Sequence, residues 1–225
     1  MLVFPTYLFD FSAMEADIER RTVSGGVSLS GDETTIITDG GGRVFAEFGG
    51  PYLDHPRLAA SWRALADNLA TDAIIVPLGD IRHQFVGDIA VPPGGLPWWT
   101  EAEYVAGRVP NATATASAPL RGTMLSLALA YQPQPIYPGS WVSIRHPTMC
   151  HRAYRIRRVV SQTSAAATLQ INPPLREAVA AGAVVNLSDP LCTMRLDGEM
   201  RSPTDFGFAE GATVRFVEDF RGVYV

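Results

Sequence analysis

Short segments in which hydrophobic and polar residues alternate follow one another along most of this chain. In one of them, Val44, Ala46 and Phe48 alternate with Arg43, Phe45 and Glu47. A period of two is typical of a β-strand with one buried face. From residue 112 onward similar segments recur at intervals typical of β-sandwiches and barrels. The strands predicted there are 112–118, 124–130, 141–145, 154–160, 167–171, 183–187, 192–196 and 214–217.

One segment has helical periodicity instead. Its apolar residues follow the spacing i, i+4, i+7 and i+11, which places them on a single helix face. They are Leu58, Trp62, Leu65 and Leu69. Pro56 suits the first turn, because the N–H that proline lacks has no helical partner there. We predict one amphipathic helix at 56–70, packed on a sheet.

Glycines and β-branched residues predict further strands in the first third of the chain. Gly25 and Gly26 interrupt a strand that begins at Thr22, and we predict a β-bulge there. The β-branched segment 34–38 is predicted to form a hairpin with 43–48, since glycines in the turn between them accept positive φ. The continuous apolar run 73–76 predicts a buried strand.

The first twelve residues are apolar and precede the first clear turn. We predict that 8–14 docks as a strand and that 14–20 forms a short helical turn. Two readings of this N-terminal arm remain open: it binds a neighbouring subunit, or it folds back onto its own chain. The predicted interface residues here are Phe4, Tyr7, Phe9 and Phe11.

A Pro- and Gly-rich stretch at 92–97 precedes Trp98 and Trp99, and it is the best candidate for a linker. Trp is enriched at protein interfaces, so both tryptophans are predicted interface residues. Local packing is one alternative. Stacking on a sugar ring together with Tyr104 is another.

The composition supports a folded protein of two units. With 225 residues, 47% of them hydrophobic and 18% charged, the chain has enough apolar side chains for packed cores. We predict an all-β fold. A hub β-barrel or sandwich domain comprises 1–95 together with 190–225, and it includes the N-terminal arm and the helix. A second small β-barrel at 110–189 is inserted between these two parts.

The charge and the hydropathy pattern exclude two classes of partner. A net charge of −5 does not suit a protein that grips nucleic acid through its phosphates. The densest basic group is Arg152, Arg155, Arg157 and Arg158, which we interpret as solvated or interface-pairing arginines. No apolar run approaches the roughly 20 residues of a membrane span, so we expect a soluble protein without membrane contact.

The sequence contains few groups of residues that could form a catalytic or metal site. His146, Cys150 and His151 are the most metal-like group, but a metal site needs at least three ligands in a fixed geometry, and no second Cys or His group is near. Cys150 and Cys192 form no CxxC motif, and whether they pair stays open. The chain has no GxSxG motif, and its carboxylates cannot be paired from sequence. We therefore predict no enzyme activity, no cofactor and no metal.

Short segments of turn and strand residues recur along the chain in a recognisable order. In the second half these are Tyr137-Pro138-Gly139, Tyr154-Arg155 and Pro173-Pro174-Leu175-Arg176; in the first half they are Thr22–Gly26, Arg43–Phe48 and Ser61–Leu65. Together these segments resemble a known family, the distal tail proteins of long-tailed bacteriophages. The resemblance implies a hub β-barrel flanked by a helix, followed by a C-terminal β domain.

The resemblance also implies a role in assembly. Such proteins form a ring, commonly hexameric, that joins the tail tube to the hub or receptor-binding proteins, and DNA passes through the ring without specific binding. We therefore expect a protein of the virion tail tip that is assembled in the host cytoplasm. The alternative from a different class is a carbohydrate-binding or adhesin-type β-module.

Overall fold

The computed structural model describes residues 1–20, 22–37, 41–69, 72–79, 99–106, 112–130, 135–200 and 212–222. The strands within these ranges are β1 (Ala13–Glu19), β2 (Thr22–Val27), β3 (Glu33–Ile37), β4 (Arg43–Gly49), β5 (Ile74–Pro77), β6 (Ala112–Ala114), β7 (Met124–Leu129), β8 (Trp141–His146), β9 (Cys150–Gln162), β10 (Ala166–Asn172), β11 (Val184–Asn186), β12 (Leu191–Leu196) and β13 (Thr213–Glu218). The helices are α1 (Pro56–Leu69) and α2 (Glu101–Ala106). The predicted all-β class is confirmed.

The first structural unit is a five-stranded antiparallel sheet covered by α1. Its strand order is β1-β4-β13-β12-β5, so strands from the two ends of the chain lie side by side. Trp62, Leu65 and Leu69 of α1 are buried in one core with the apolar faces of β4, β12 and β13. This confirms the predicted helix and the packing of its stripe. Ala70, the last residue of the predicted helix, lies outside the described ranges.

The second unit is a closed barrel of six strands in the order β10-β7-β6-β11-β8-β9. It has its own core, in which inward-facing residues such as Leu125, Leu127 and Leu169 are almost fully buried. The barrel strands occupy the interval between β5 and β12 in the chain. Since β5 and β12 pair directly, with Pro77 opposite Leu191, the chain leaves the sheet and returns to it at neighbouring strands.

The predicted hairpin between 34–38 and 43–48 is wrong. β4 pairs with β1 and β13, whereas β3 pairs with β2. The alternating face of β4 requires a buried partner surface, and the sheet supplies one, with Ile18 opposite Val44. The strands β1–β2 and β3–β4 therefore form the two sides of one long hairpin with its tip at 28–32.

Two further expectations for this hairpin have different outcomes. The predicted helical turn at 14–20 is wrong, because Ala13–Glu19 is a strand whose residues pair in register with β4. The predicted bulge is confirmed: the β2–β3 register shifts between Ser24 and Val27, and Gly26 has a φ of 84°. Gly42, which precedes β4, has the positive φ expected of these glycines, at 98°, and it passes close to β1, where an added Cβ would lie 2.7 Å from the Glu19 carbonyl oxygen.

Candidate functional site

Phe4 and Phe9 are buried in the core of their own chain. The Phe4 ring lies 4.8 Å from that of Phe216 and 5.0 Å from that of Phe48, and the Phe9 ring lies 5.0 Å from that of Trp62. Both side chains are 0% exposed. The N-terminal arm thus folds back onto its own chain and fills the core between α1 and the sheet. We therefore assign these two residues to the core, which corrects their predicted interface role.

Tyr7 and Phe11 are only half-buried. Phe11 packs 5.1 Å from the Phe48 ring at the margin of the same core. Burial raises the pKa of Tyr7 to about 12. Of the four predicted residues in the arm, these two retain surface that another protein could contact.

Trp99 packs locally, whereas Trp98 lies outside the described residues. Trp99 is half-buried against a small cluster that includes Val3, Ile75 and Tyr104. The Tyr104 hydroxyl donates a hydrogen bond of 2.6 Å to the Asp189 carboxylate, so its ring is held on α2 with little exposure. Tyr104 therefore lacks the open face that stacking on a sugar requires, and Trp99 is partly covered.

A polar cluster forms where α2 meets the hairpin of β8 and β9. The Glu101 carboxylate accepts hydrogen bonds from Arg145 Nε at 2.9 Å and from His151 Nε2 at 3.2 Å. The Cys150 thiol lies 3.9 Å from the same oxygen, Oε1. The hydrogen bonds from His151 and Arg145 lower the pKa of Glu101 to about 2. A carboxylate, a thiol and an imidazole thus converge in one place.

His146 does not belong to this cluster. Its Nε2 lies 2.7 Å from the Tyr154 hydroxyl inside the barrel, and burial lowers the pKa of the imidazole to about 4. The predicted metal-like group of His146, Cys150 and His151 is therefore divided between two environments. The group that joins Cys150 and His151 in place of His146 is Glu101, which precedes Cys150 by 49 residues.

The cluster does not have the arrangement of an activated nucleophile. A reactive cysteine needs a lowered pKa and a base that bonds its sulfur. Burial instead raises the pKa of Cys150, and both the thiol and the imidazole point to the same Glu101 carboxylate. The three groups can hold protons or a cation between them.

A buried ionic cluster joins the barrel to the sheet. Arg176, which follows β10, donates hydrogen bonds to Glu218 of β13 and to the Gly42 carbonyl. Arg152 of β9 places its Nη1 at 3.6 Å from Glu218 Oε1. Both Arg152 and Glu218 are fully buried, so the carboxylate neutralises charge that would otherwise be costly to bury.

Two of the four arginines in the basic group, Arg152 and Arg155, form contacts within the chain. Arg155 pairs with Asp17 at 2.7 Å and stacks on Trp141 at 4.7 Å, and Arg152 belongs to the buried cluster. Arg157 and Arg158 are exposed on β9. Two exposed arginines do not form the basic stripe that phosphate binding requires.

The tip of the long hairpin is held by internal hydrogen bonds, and two apolar side chains are exposed at or beside it. Ser28 N donates to the Asp32 carbonyl at 2.9 Å, and Ser30 Oγ donates to the Asp32 carboxylate at 2.9 Å. These bonds define a compact turn. Leu29 within it is 112% exposed and Val27 is 69% exposed.

Comparison with known proteins adds no relative. No model of a known protein family matches the chain, and no curated protein is significantly similar to it in sequence. In the part of the chain that the structure describes, neither helix is long and apolar enough to cross a membrane.

Proposed function

We propose that this protein is a structural component of a phage tail tip: a distal tail protein that forms a homo-oligomeric ring, of six subunits in the commonest arrangement. The ring would join the tail tube to the hub or receptor-binding proteins in the virion, and DNA would pass through it without specific binding. The protein would have no enzyme activity and would be assembled in the host cytoplasm. The observation that supports this best is the projecting hairpin of β2 and β3.

The hairpin has the properties of an assembly element. A two-stranded ribbon is marginally stable in water unless another surface supports it. Among the described strands, β2 and β3 pair only with each other, so each has a backbone edge to which a neighbour could add a strand. Leu29 and Val27 add apolar area that a neighbour could bury.

In this proposal the hairpin takes the role that the sequence suggested for the N-terminal arm. Phe4 and Phe9 already fill the core of their own chain and cannot bind a second one. The net charge of −5 suits a lumen through which DNA slides, since acidic walls repel phosphates. The two-unit β architecture also agrees with the family that the sequence resembles.

The alternative of a carbohydrate-binding or adhesin-type module receives less support. It depends on an exposed aromatic platform around Trp99 and Tyr104. Trp99 is half-buried and Tyr104 is 8% exposed, so these rings are used for packing. The assembly proposal has no such requirement.

The proposal is tested by the size and shape of the purified protein. We expect light scattering to give a closed oligomer and negative-stain images to show rings with a central opening. Leu29→Asp should shift the protein to monomers without changing its melting temperature, because Leu29 makes no core contact. Leu120→Asp is the matched control, since Leu120 is exposed on the barrel, and it should leave the rings intact.

Two results would contradict the proposal. One is an intact protein that remains monomeric at every accessible concentration and does not bind a tail tube protein. The other is a Leu29→Asp variant whose oligomers equal those of the intact chain, which would exclude the hairpin tip as the contact.

A further inference from the structure

We propose that Glu101, Cys150 and His151 form a Zn²⁺ site that fastens α2 to the start of β9, with solvent as the fourth ligand. This inference does not rest on the proposed function. It replaces the expectation of no metal, which depended on the lack of a convergent set of ligands. The three side chains supply one oxygen, one sulfur and one nitrogen atom, all within 4.8 Å of one another.

The separations of the ligand atoms fit a tetrahedral ion. Zinc bonds of about 2.0–2.3 Å give tetrahedral edges of about 3.3–3.7 Å between ligand atoms. Here His151 Nε2 lies 3.2 Å from Glu101 Oε1, and Cys150 Sγ lies 3.9 Å and 4.0 Å from the two carboxylate oxygens. The third separation, between Cys150 Sγ and His151 Nε2, is at most 4.8 Å, so shifts of up to about 1 Å bring all three atoms into the coordination sphere.

The backbone at Cys150 explains how two adjacent residues reach one ion. Successive side chains of a strand normally point to opposite faces, so neighbours in sequence cannot share a ligand. Cys150 has a φ of 55°, in the left-handed region that non-glycine residues seldom adopt. This turn breaks the alternation at the start of β9, and both the thiol and the imidazole face Glu101.

Zinc binding to this cluster would change the protonation of its ligands. His151 Nε2 and the Cys150 thiol both face the Glu101 carboxylate, at 3.2 Å and 3.9 Å from Oε1. Zinc would displace the thiol proton of Cys150, which leaves to solvent, and His151 would bind through Nε2 with its N–H on Nδ1; the resulting thiolate and the carboxylate balance the two charges of the ion. Binding should therefore strengthen as the pH rises.

The positive charge of Arg145 opposes the binding of a cation here, because Arg145 Nε donates a hydrogen bond of 2.9 Å to Glu101 Oε1. Its side chain is 56% exposed, so it can move to solvent or to the second carboxylate oxygen at little cost. An arginine on that second oxygen would hold the carboxylate in orientation, as outer partners of metal ligands commonly do.

The ligand set selects among metals. A thiolate and an imidazole are ligands of zinc and of softer transition metals, whereas Ca²⁺ and Mg²⁺ require oxygen atoms throughout. Glu101 is 18% exposed at its side chain, which provides a path for entry from solvent. Three protein ligands leave one tetrahedral position for water.

Metal analysis of the full chain tests the site. After equilibration with Zn²⁺ and gel filtration, we expect one zinc per chain. Competition with a chromophoric chelator should show that Glu101→Gln and Cys150→Ser each weaken binding by at least about tenfold. Cys192→Ser and His55→Gln are the matched controls, because both residues lie outside the cluster, and both should retain wild-type affinity.

Cobalt(II) gives a second readout that needs no variant to fold. The unsubstituted protein should show a thiolate-to-cobalt charge-transfer band in the near ultraviolet and intense visible bands of a tetrahedral ion. The absence of the charge-transfer band would overturn the site. Zinc held equally well by the wild type, Glu101→Gln and Cys150→Ser would also overturn it, since that binding would be adventitious.

Discussion

Arg176 donates hydrogen bonds of 2.9 and 3.2 Å to the fully buried carboxylate of Glu218, and this pair connects the barrel to the last strand of the sheet. The carboxylate also accepts a hydrogen bond from Val44 N of β4. Glu218 of β13 thereby connects β4 to two arginines of the barrel unit, Arg176 and Arg152. Arg152 and Arg176 both stack on Phe220, at 5.0 Å each, which shields the cluster from one side.

Replacing Glu218 should destabilise the protein strongly. We expect Glu218→Gln to lower the free energy of unfolding by about 3–5 kcal/mol, because two arginines lose the charge that compensates them in the interior. Urea unfolding followed by tryptophan fluorescence measures the change. The control is Asp197→Asn, which removes an exposed partner of Arg215 and should cost less than about 1 kcal/mol. Equal effects of the two variants would contradict this role of Glu218.

The packing of the α1 stripe leads to a second prediction. Trp62 is fully buried and meets Phe9 edge to face at 5.0 Å. Trp62→Ala should therefore cost about 3–5 kcal/mol of stability through lost burial and a residual cavity. Arg63→Ala on the exposed side of the same helix should be nearly neutral. Thermal unfolding followed by far-ultraviolet circular dichroism compares them, and a small loss for Trp62→Ala would refute the packing.

The N-terminal segment should be required for folding as well as for any assembly. Deleting residues 1–12 removes Phe4 and Phe9 from the core, so we expect the truncated chain to lose the cooperative unfolding transition of the sheet. Phe9→Ala alone should cost about 3–5 kcal/mol, whereas Tyr7→Ala should cost less because Tyr7 is half-buried. A truncated protein that stays folded and becomes monomeric would restore the arm as a contact between subunits.

His146 should make the protein sensitive to mild acid. Burial lowers its pKa from 6.5 to about 4, so the unfolded chain takes up a proton at a higher pH than the folded chain does. The stabilisation from His146 is complete above pH 6.5 and is lost as the pH falls through the window from 6.5 to about 4. The loss amounts to roughly 3 kcal/mol across that window.

The pH dependence can be assigned by comparing variants. Urea unfolding between about pH 7 and pH 4.5 should show a steep loss of stability for the intact chain and a shallower one for His146→Gln. His55→Gln, at the exposed start of α1, should keep the original slope. If His146→Gln retains that slope, the acid sensitivity arises elsewhere.

Local periodicity was enough to predict most of the elements. The alternation of Leu125, Leu127 and Leu129 is a property of six consecutive residues, and those side chains are buried on one face of β7. The stripe that includes Trp62 is local in the same way. Such patterns report which face of an element is buried without naming its partner.

Strand partners and site residues depend on contacts between distant parts of the chain. Nothing near Phe48 indicates that it pairs with Val214, and the short distance to 34–38 favoured the wrong hairpin. The apolar side chain of Phe4 predicted that this residue is buried, but it did not indicate which surface covers it. Glu101 lies on a helix of six residues, too short for a periodic signal, so its approach to Cys150 was not predictable.

The adjacency of β5 and β12 has a consequence for the order of events during synthesis. All pairings of the barrel join strands between Ala112 and Asn186, so the barrel can close as soon as that segment has left the ribosome. The sheet must wait for β12 and β13, and until then β4 is paired with β1 on one edge only. Pairing across such long separations is slow, and uncovered apolar strands invite aggregation. Pulsed hydrogen exchange during refolding should therefore find the amides of β7–β10 protected before those of β4.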